Sequence, residues 1–548
     1  MLVAKGSESL DHAMNDQRPP STPGIILEPT RKLALERHYL RPGGPWDRGS
    51  IEACTPRTES RALRARDATM TGMELDALVG ALAGHLRSAG ATRASTVAWQ
   101  LPNGIPAVAL YRACWRIGAV AAPLHHRLGE REVRAALDQV GPRVVISDPT
   151  MPAAGVEGAL EVVHGGDPDS LLRVLPYGPS VRAPDSPAEA GDIAVALFTS
   201  GSTGVPKAVL HTHRGLGYKA TLMSRAHGLG PSDALLMPAP LAHISGLLNG
   251  VLIPSLAGLP VTLMDRWDPD EALGLIAAER VTFMGAPPVF FLQMGEAGSF
   301  SAEKVRSMRL VSTGGASISP AFVAGLAERF GCTVKRTYGS TEAPTVTTSI
   351  PGDPPDRARE TDGHALGEVE LVLGDPATGA QLDPGSDTGE IWLRGPELFV
   401  GYADRTYTEK VIVEPGGWFR TGDLGALDDG WLTVMGRLSD IIIRSGENIS
   451  ASEVEAVLES HPAVRQAVAV GIPDAATGER VAAAVSTSGH FDLATCREWF
   501  RSQGITMFKT PELILVLPQI PTLAAGKPDR AAIRALAASE GAPAPRDA

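Results

Sequence analysis

The chain has 548 residues, of which 43% are hydrophobic and 20% are charged, and its formal net charge is −12. This length exceeds that of one ordinary domain and allows more than one hydrophobic core to be buried. The acidic balance argues against a nucleic-acid-binding protein, because contacts with phosphate need clustered lysine and arginine.

The first fifty residues are rich in proline and arginine and show little periodicity, so we expect an irregular lead-in. Met1–Pro20 carries charges of both signs and has no apolar core, which argues against a secretory signal peptide. The cysteines at Cys54, Cys114, Cys332 and Cys496 are far apart and form no CxxC motif. We therefore expect a cytoplasmic protein with reduced cysteines.

Regular structure is predicted from Thr71-Gly-Met-Glu74, which has the form of a helix capping box. Apolar residues then recur at helical spacing as far as Leu86. A strand at Thr96–Trp99, a helix through Tyr111–Ala121 and a strand at Val144–Ile146 follow. This alternation with short connections predicts a parallel sheet covered by helices.

Three later apolar runs each end in a loop of small or polar residues: Ile193–Phe198, Met308–Val311 and Val334–Thr337. Ligands of open α/β sheets bind beyond the carboxyl ends of the strands, so we expect these loops to converge on one site. The nearly uncharged stretch Ala234–Met264 could suggest a membrane span. Its repeated prolines and glycines instead favour a buried helix and strand.

A mainly β stretch runs from Leu366 to Val434, and a compact α+β segment begins after Gly436-Arg437. The predicted fold class is α/β, with a large N-terminal domain of parallel βαβ-type sheets, a small β-subdomain and a small, mobile α+β C-terminal domain. The predicted boundaries are an irregular lead-in over 1–60, a large domain over 61–437 and a small domain over 438–548.

The segment Thr199-Ser-Gly-Ser-Thr-Gly-Val-Pro-Lys207 follows an apolar strand directly. Its backbone amides and hydroxyls can wrap around an anion, and Lys207 adds a positive charge. Pro206 and Ala208 on either side of the lysine exclude a Walker A loop. A flexible connector is the alternative, although a linker would not normally lie between a strand and a helix start. The candidate phosphate contacts are Thr199, Ser200, Gly201, Ser202, Thr203, Gly204 and Lys207.

This loop resembles the phosphate loop of the adenylate-forming (AMP-binding) superfamily, which includes acyl-CoA synthetases, standalone adenylation domains and firefly luciferase. Further segments resemble the other motifs of that superfamily and occur in the same order over about Thr71–Ala537. They are Tyr338-Gly-Ser-Thr-Glu342, Gly389–Gly395 with Gly401-Tyr402, Thr421-Gly-Asp423, Gly436-Arg437 with Gly446–Ile449, and Pro521–Lys527.

The resemblance implies that Tyr338 stacks on adenine, that Thr341 contacts the α-phosphate and that Asp423 binds the ribose. It also implies that Glu342 supports Mg²⁺ together with the phosphates and that Lys527 carries the adenylation step. Thr199 is a second expected Mg²⁺ contact. The implied cofactors are ATP, Mg²⁺ and coenzyme A. The remaining expected nucleotide contacts are Gly314, Gly315, Ala316, Gly339, Arg437 and Gly446.

These roles also have a physical reason. Attack of a carboxylate on the α-phosphate brings two anions together, so the site must neutralise charge. A lysine such as Lys527 is a long cationic arm that can reach both anions. Taken alone, Asp423 would more often be a turn residue, and Lys527 would more often be a solvated surface residue. The shared order of the motifs favours the functional interpretation.

His243 lies in the uncharged stretch, and such a histidine is more often a core residue than a catalytic one. In the resembling family this position lines the tunnel for the acyl group and pantetheine, so His243 is a catalytic candidate. His211 and His213 could suggest a metal pair, but no further ligands cluster nearby in sequence, and a loop at a helix start is expected.

The sequence departs from the family pattern at two places. Ser439 stands at the hinge position, which is often Asp or Lys, and Ser445-Gly446 replaces the more usual paired glycines. A hinge needs an adaptable, solvated residue, a requirement that serine can meet.

The expected function is an AMP-forming acyl-CoA ligase for a small medium-chain, alicyclic or aromatic carboxylic acid. The alternatives are a standalone adenylating enzyme that loads an acyl carrier protein and a silent nucleotide-binding regulator. Intact Lys207, Glu342, Asp423 and Lys527 argue against the regulator. We expect a monomer or homodimer with no nucleic-acid partner and no membrane span.

Overall fold

The structure is a computed structural model. It describes residues 26–30, 49–66, 68–161, 169–182, 187–199, 206–315, 318–383, 385, 388–413, 416–445, 447–474, 477–523 and 527–540.

The strands, numbered in chain order, are β1 Arg61–Ala65, β2 Ala68–Thr71, β3 Thr96–Gln100, β4 Val120–Leu124, β5 Val144–Ser147, β6 Leu160–Glu161, β7 Ile193–Thr199, β8 Lys207–Thr212, β9 Leu235–Met237, β10 Val261–Leu263, β11 Phe283–Ala286, β12 Leu310–Gly314, β13 Thr333–Tyr338, β14 Thr347–Thr348, β15 His364–Ala365, β16 Glu370–Gly374, β17 Gly389–Arg394, β18 Ile412–Val413, β19 Trp418–Asp428, β20 Trp431–Arg437, β21 Ile441–Arg444, β22 Glu447–Ser450, β23 Val464–Asp474, β24 Gly478–Thr487 and β25 Leu513–Val516.

The α-helices are α1 Gly72–Ser88, α2 Ile105–Ile117, α3 Glu130–Val140, α4 Ser170–Val174, α5 His213–Ala226, α6 Ile244–Leu247, α7 Ile253–Ala257, α8 Pro269–Glu279, α9 Pro288–Glu296, α10 Ala302–Val305, α11 Pro320–Phe330, α12 Pro355–Glu360, α13 Arg405–Val411, α14 Ala451–Glu459, α15 Leu493–Ser502 and α16 Arg530–Glu540.

Two sheets carry the larger part of the described chain. One has the order β6-β5-β3-β4-β7-β8, and its first five strands run parallel. The other has a parallel centre, β10-β9-β11-β12-β13, which continues through antiparallel strands as far as β16. The predicted parallel βαβ architecture is therefore confirmed. The strands of the predicted β-subdomain extend this second sheet, which they join through β15 and β20.

The third sheet is built from the C-terminal part of the chain, with the order β22-β21-β24-β23 and β25 beside β24. Helix α14 packs on one core of this sheet, which includes Val454, Leu458 and Phe500. Helix α16 packs on another core through Ile533 and Ala537. Mixed strand directions and flanking helices agree with the α+β prediction for this segment.

Helix α1 begins as the sequence predicts, because the Thr71 side chain accepts a hydrogen bond from the backbone of Glu74 in a capping box. Two other predictions need correction. The helix predicted through Ala121 ends at Ile117, because Gly118 takes a left-handed conformation with φ of 74°, and β4 follows. The phosphate loop leads into strand β8 and not into a helix, since β8 pairs antiparallel with β7.

The uncharged stretch Ala234–Met264 forms β9, two short α-helices, a π-helical turn at Leu248–Leu252 and β10. Its apolar side chains belong to the hydrophobic core of the large domain, as predicted; examples are Leu247, Val251 and Ile253. None of the helices in the described ranges is both long and apolar enough to cross a membrane.

Candidate active site

The carboxyl ends of β12 and β13 form the floor of the candidate site. Gly314 pairs with Thr337, and a Cβ atom on Gly314 would lie 2.3 Å from the Thr337 carbonyl oxygen. Gly315 follows with φ of +80°, in the left-handed region that favours glycine. A Cβ atom on Gly315 would lie 3.6 Å from Cε of Lys527. The C-terminal lysine therefore reaches the end of β12, as the motif order implied.

Tyr338 and Asp423, the predicted adenine and ribose contacts, are joined directly. The Tyr338 hydroxyl donates to Oδ2 of Asp423 at 2.8 Å, and Nε of Arg437 donates to Oδ1 of the same carboxylate at 3.2 Å. Burial raises the pKa of Asp423, and the charge of Arg437 opposes that shift. Two predicted site residues from separate motifs thus bind the buried carboxylate of a third.

Glu342 is held by the segment that follows β17. The Tyr402 hydroxyl donates to Oε1 of Glu342 at 2.7 Å, and the Phe399 amide donates to the Glu342 carbonyl at 2.8 Å. The Lys207 ammonium lies 5.6 Å from the ring centroid of Tyr402 and 4.7 Å from that of Tyr407. Tyr402 therefore links the phosphate-loop lysine to Glu342, a contact that motif assignment alone missed.

Thr341 is held through its backbone. Nε2 of His211, on β8, lies 2.7 Å from the Thr341 carbonyl oxygen, so the ring must donate to it. Burial lowers the pKa of His211 to about 4, which keeps the ring neutral near pH 7. His211 thus supports the backbone of the Tyr338–Thr345 loop, which carries Thr341 and Glu342. Within the described parts of the chain, no group of three or more His, Cys, Asp or Glu side chains is arranged to hold a metal ion.

Lys527 is exposed as a residue, but its charged end lies among other charges of the site. Desolvation and then the charge of Arg437 lower the pKa of Lys527, whereas Asp423 and Glu342 oppose the shift. Lys527 also acts electrostatically on His243. The charge of Lys527 therefore acts on His243, and the charge of Glu342 acts on Lys527, so these three predicted catalytic residues are electrostatically coupled.

His243 belongs to a cluster of three histidines that the sequence did not predict. Its ring centroid lies 4.9 Å from that of His125, which stacks on His126 at 4.4 Å. Burial lowers the pKa of His243 to about 4 and that of His125 to about 2, and Lys527 adds to the shift at His243. The only sequence signal for this cluster was the His-His pair directly after β4.

The two ends of the phosphate loop are described, and its middle is not. Thr199 ends β7 and pairs with Lys207 at the start of β8, so both ends are fixed in one hairpin. The predicted contacts Ser200, Gly201, Ser202, Thr203, Gly204, Ala316 and Gly446 lie outside the described residues.

Gly339 is described, and a Cβ atom there would lie 2.3 Å from the Thr345 nitrogen, so the loop after β13 needs glycine.

Residues 437–440 join β20 of the large sheet to the third sheet, and the two ends of this junction contact different parts of the chain. Arg437 contacts Asp423 in the large sheet, whereas Asp440 forms an ion pair with Arg530 of α16 at 3.2 Å. Ser439 lies between them, and its hydroxyl donates to Oδ1 of Asp440 at 3.1 Å. Asp440 is therefore tied to the C-terminal part, which leaves the Leu438–Ser439 step between the two sets.

Segments that resemble the ribose and lysine motifs thus meet across two parts of the chain, as the resemblance to adenylate-forming enzymes implies. A family model described as AMP-binding enzyme matches residues 52–403, and a second, described as AMP-binding enzyme C-terminal domain, matches residues 453–527. The chain belongs to the AMP-binding enzyme family.

The medium-chain fatty-acid–CoA ligase of Escherichia coli strain K12 is 31% identical over 482 residues, 84% of this chain and 84% of that protein. ATP-bound MatB from Rhodopseudomonas palustris superposes with a TM-score of 0.80 at 25% identity, over 90% of this chain and 99% of that chain. The o-succinylbenzoate CoA synthetase of Bacillus subtilis, in complex with its acyl-adenylate intermediate, superposes with a TM-score of 0.74 at 27% identity. The match covers 86% of this chain and 95% of that chain.

The buried histidines predict a loss of stability in mild acid. Burial lowers the pKa values of His211, His213 and His243 to about 4 each. Unfolded histidine binds a proton near pH 6.5, so below this pH the unfolded state binds more protons than the folded one. Each such histidine should cost about 1.4 kcal/mol of stability per pH unit between pH 6.5 and 4, and nothing above pH 7.5.

Urea unfolding at pH 7.5, 6.0 and 5.0 checks this expectation. The urea midpoint should fall from pH 7.5 to pH 5.0, and it should fall less in His211→Gln. The exposed His490, replaced by Gln, is the matched control and should behave as wild type. A midpoint that does not change over this range would show that the rings are not held neutral.

Proposed function

We propose that this protein activates a small carboxylic acid with ATP, forms an acyl-adenylate with release of pyrophosphate, and then transfers the acyl group to coenzyme A. The observation that carries the proposal is the approach of Lys527 to Gly315, beside Asp423 and Glu342. The name of the Escherichia coli relative and the acyl-adenylate in the Bacillus subtilis enzyme support the same chemistry.

In the first half-reaction a carboxylate oxygen attacks the α-phosphorus, and the bond to pyrophosphate breaks. Negative charge accumulates where two anions meet, and fixed positive charge lowers the barrier. Lys527 would supply that charge at the carboxyl end of β12, while Asp423 would accept hydrogen bonds from the ribose. The Thr341 hydroxyl would contact the α-phosphate, and Lys207 would balance the outer phosphates.

The oxygen ligands of Glu342 and Thr199 suit Mg²⁺, which proteins usually hold through one or two carboxylates plus substrate phosphates. Tyr402 and Phe399 fix the Glu342 side chain and backbone beside the phosphate-loop strand. When bound, Mg²⁺ neutralises charge on the phosphate oxygens. Glu342 would orient the nucleotide through that ion, and Thr199 would add a hydroxyl ligand.

In the second half-reaction the thiol would lose its proton to solvent, its sulfur would form a bond to the acyl carbon, and the bond from that carbon to the phosphate oxygen of AMP would break. No second anion approaches the α-phosphorus in that step, so Lys527 would not be required there, and the C-terminal part would rotate about Leu438–Ser439 to open the site for the thiol. His243 would line the acyl and thiol side of the site as a neutral ring. We propose coenzyme A rather than an acyl carrier protein as the acceptor, since two of the matched proteins are named as CoA ligases or synthetases.

We propose that the apolar segment Met284–Phe291, which contains no charged side chain, lines the pocket for the acyl group and so limits the substrate class. Burial of a second unpaired charge there would be costly, so we propose a medium-chain, alicyclic or aromatic acid with a single carboxylate. The test is a panel of such acids, dicarboxylates and amino acids, assayed for pyrophosphate and AMP. We expect pyrophosphate and a thioester with monocarboxylates. Release of ADP and phosphate, or preference for an amino acid, would refute the proposal.

Replacement of Lys527 separates the two half-reactions. Lys527→Ala should slow acyl-adenylate formation by roughly 10²–10³-fold, the scale for loss of one preorganised electrostatic contact. Thioester formation from supplied acyl-adenylate should stay near the wild-type rate, because the lysine acts only in the first half-reaction, before the C-terminal part rotates. Both rates are measured on the same variant by quenched-flow assay. Equal losses of rate in the two steps would mean that the proposed rotation of the C-terminal part between the two half-reactions is wrong for this chain.

A further inference from the structure

Helix α5 carries a lysine whose side chain is completely buried. The Lys219 ammonium lies 2.7 Å from Oε1 of Glu397, and both side chains have 0% exposure. Removing two charges from water is costly, and such pairs often add little stability compared with apolar residues of similar size. Stability alone is therefore a weak explanation for this pair.

The same ammonium also contacts the Tyr338–Thr345 loop, which carries Glu342. Lys219 Nζ donates to the Thr345 carbonyl oxygen at 2.9 Å. Thr345 has φ of 36°, an unfavourable left-handed conformation for a β-branched residue. Gly339 lies against the Thr345 nitrogen, so the loop folds back tightly on itself between these two residues. Lys219 thus holds a strained turn three residues after Glu342.

Glu397 belongs to the segment that holds Glu342 from the other side. Two residues after Glu397, the Phe399 amide donates to the Glu342 carbonyl, and the Tyr402 hydroxyl donates to the Glu342 carboxylate. The ion pair therefore joins α5, the strained turn and the segment that orients Glu342. A shift in the pair would be transmitted to Glu342 from both directions.

We propose that Lys219, paired with Glu397, is a positioning residue that fixes the Tyr338–Thr345 loop so that Glu342 is preorganised for a nucleotide carrying a divalent cation. The inference rests on the proposed function, because it assigns Glu342 a role toward the metal–nucleotide complex. Loss of a residue that orients a metal ligand typically weakens metal binding by 10–100-fold.

The decisive variant removes both charges at once. Lys219→Met combined with Glu397→Leu leaves no unpaired buried charge, so the full-length double variant should fold with a melting temperature near that of wild type. It also leaves the Thr345 carbonyl without its donor. Lys219→Met alone should lower the melting temperature, because Glu397 then stays buried and unpaired.

The matched control is Lys335→Met. Lys335 is also a buried lysine, and its ammonium donates to two backbone carbonyls, those of Ala226 and Ser349. These carbonyls lie outside the Tyr338–Thr345 loop. The control therefore reproduces the loss of a buried lysine without touching the support of Glu342.

Binding of a non-hydrolysable ATP analogue is measured by calorimetry with Mg²⁺ and again with EDTA. In the double variant the Kd with Mg²⁺ should rise on the order of tenfold, while the Kd in EDTA stays within about twofold of wild type. Deuterium uptake of the ligand-free protein should also rise in the peptide 339–348. Lys335→Met should show neither change.

Equal Mg²⁺-dependent binding by wild type and by the folded double variant would overturn the positioning role and leave the proposed function intact. A parallel loss in Mg²⁺ and in EDTA would also overturn it, since the effect would then not pass through Glu342. If wild-type protein binds the analogue in neither condition, the proposed function fails, and this inference fails with it.

Discussion

The proposed reaction depends on one electrostatic constraint: a lysine from the C-terminal part of the chain must reach the point where two anions, the carboxylate and the α-phosphate, meet. Lys527 is placed beside Gly315, at the end of β12, and the carboxylates of Asp423 and Glu342 act on its charge. Because the lysine lies on a loop outside the large sheets, the proposed first step requires the two parts of the chain to be in contact. The proposed change between the two steps needs a pivot between these parts, and the separate contacts of Arg437 and Asp440 favour Leu438–Ser439 as its position.

The Tyr338–Thr345 loop, which carries Thr341 and Glu342, is held by side chains and backbone groups of the large domain. His211 supports the Thr341 backbone, Tyr402 and Phe399 hold Glu342, and Lys219 holds the turn at Thr345. These donors are set before any substrate arrives, so little reorganisation is needed when charge develops. In the proposed mechanism the lysine moves with the C-terminal part, whereas the loop that carries Glu342 is anchored in the large domain. Such a division between a moving charge and a fixed platform would allow one site to serve two successive steps.

Much of the fold could be predicted from the sequence, because strands such as Ile193–Phe198 and Val334–Thr337 are apolar runs with clear ends. The capping box at Thr71 was equally local. Strand β8 could not be predicted, since only its pairing with β7 distinguishes it from the start of a helix. The motifs also indicated which site residues would converge, and the structure brings Tyr338, Asp423 and Lys527 together.

The residues that hold the Tyr338–Thr345 loop, such as His211 and Lys219, could not be predicted from motifs. They contact backbone carbonyls that lie far away along the chain. His211 contacts the carbonyl of Thr341, 130 residues away. One local signal did exist for Lys219: it shares a buried face of α5 with Leu216, Ala220 and Met223. A charged residue at helical spacing within an apolar face indicates a buried partner. The partner itself, Glu397, becomes evident only in three dimensions.

The central claim is that the acid is activated by bonding to the α-phosphorus. The most direct measurement supplies a substrate acid labelled with ¹⁸O in both carboxylate oxygens and follows the label by mass spectrometry. Attack on the α-phosphorus followed by thiol transfer predicts one ¹⁸O atom in AMP for each thioester formed, and none in pyrophosphate. Label recovered in inorganic phosphate, with ADP as the nucleotide product, would contradict the account.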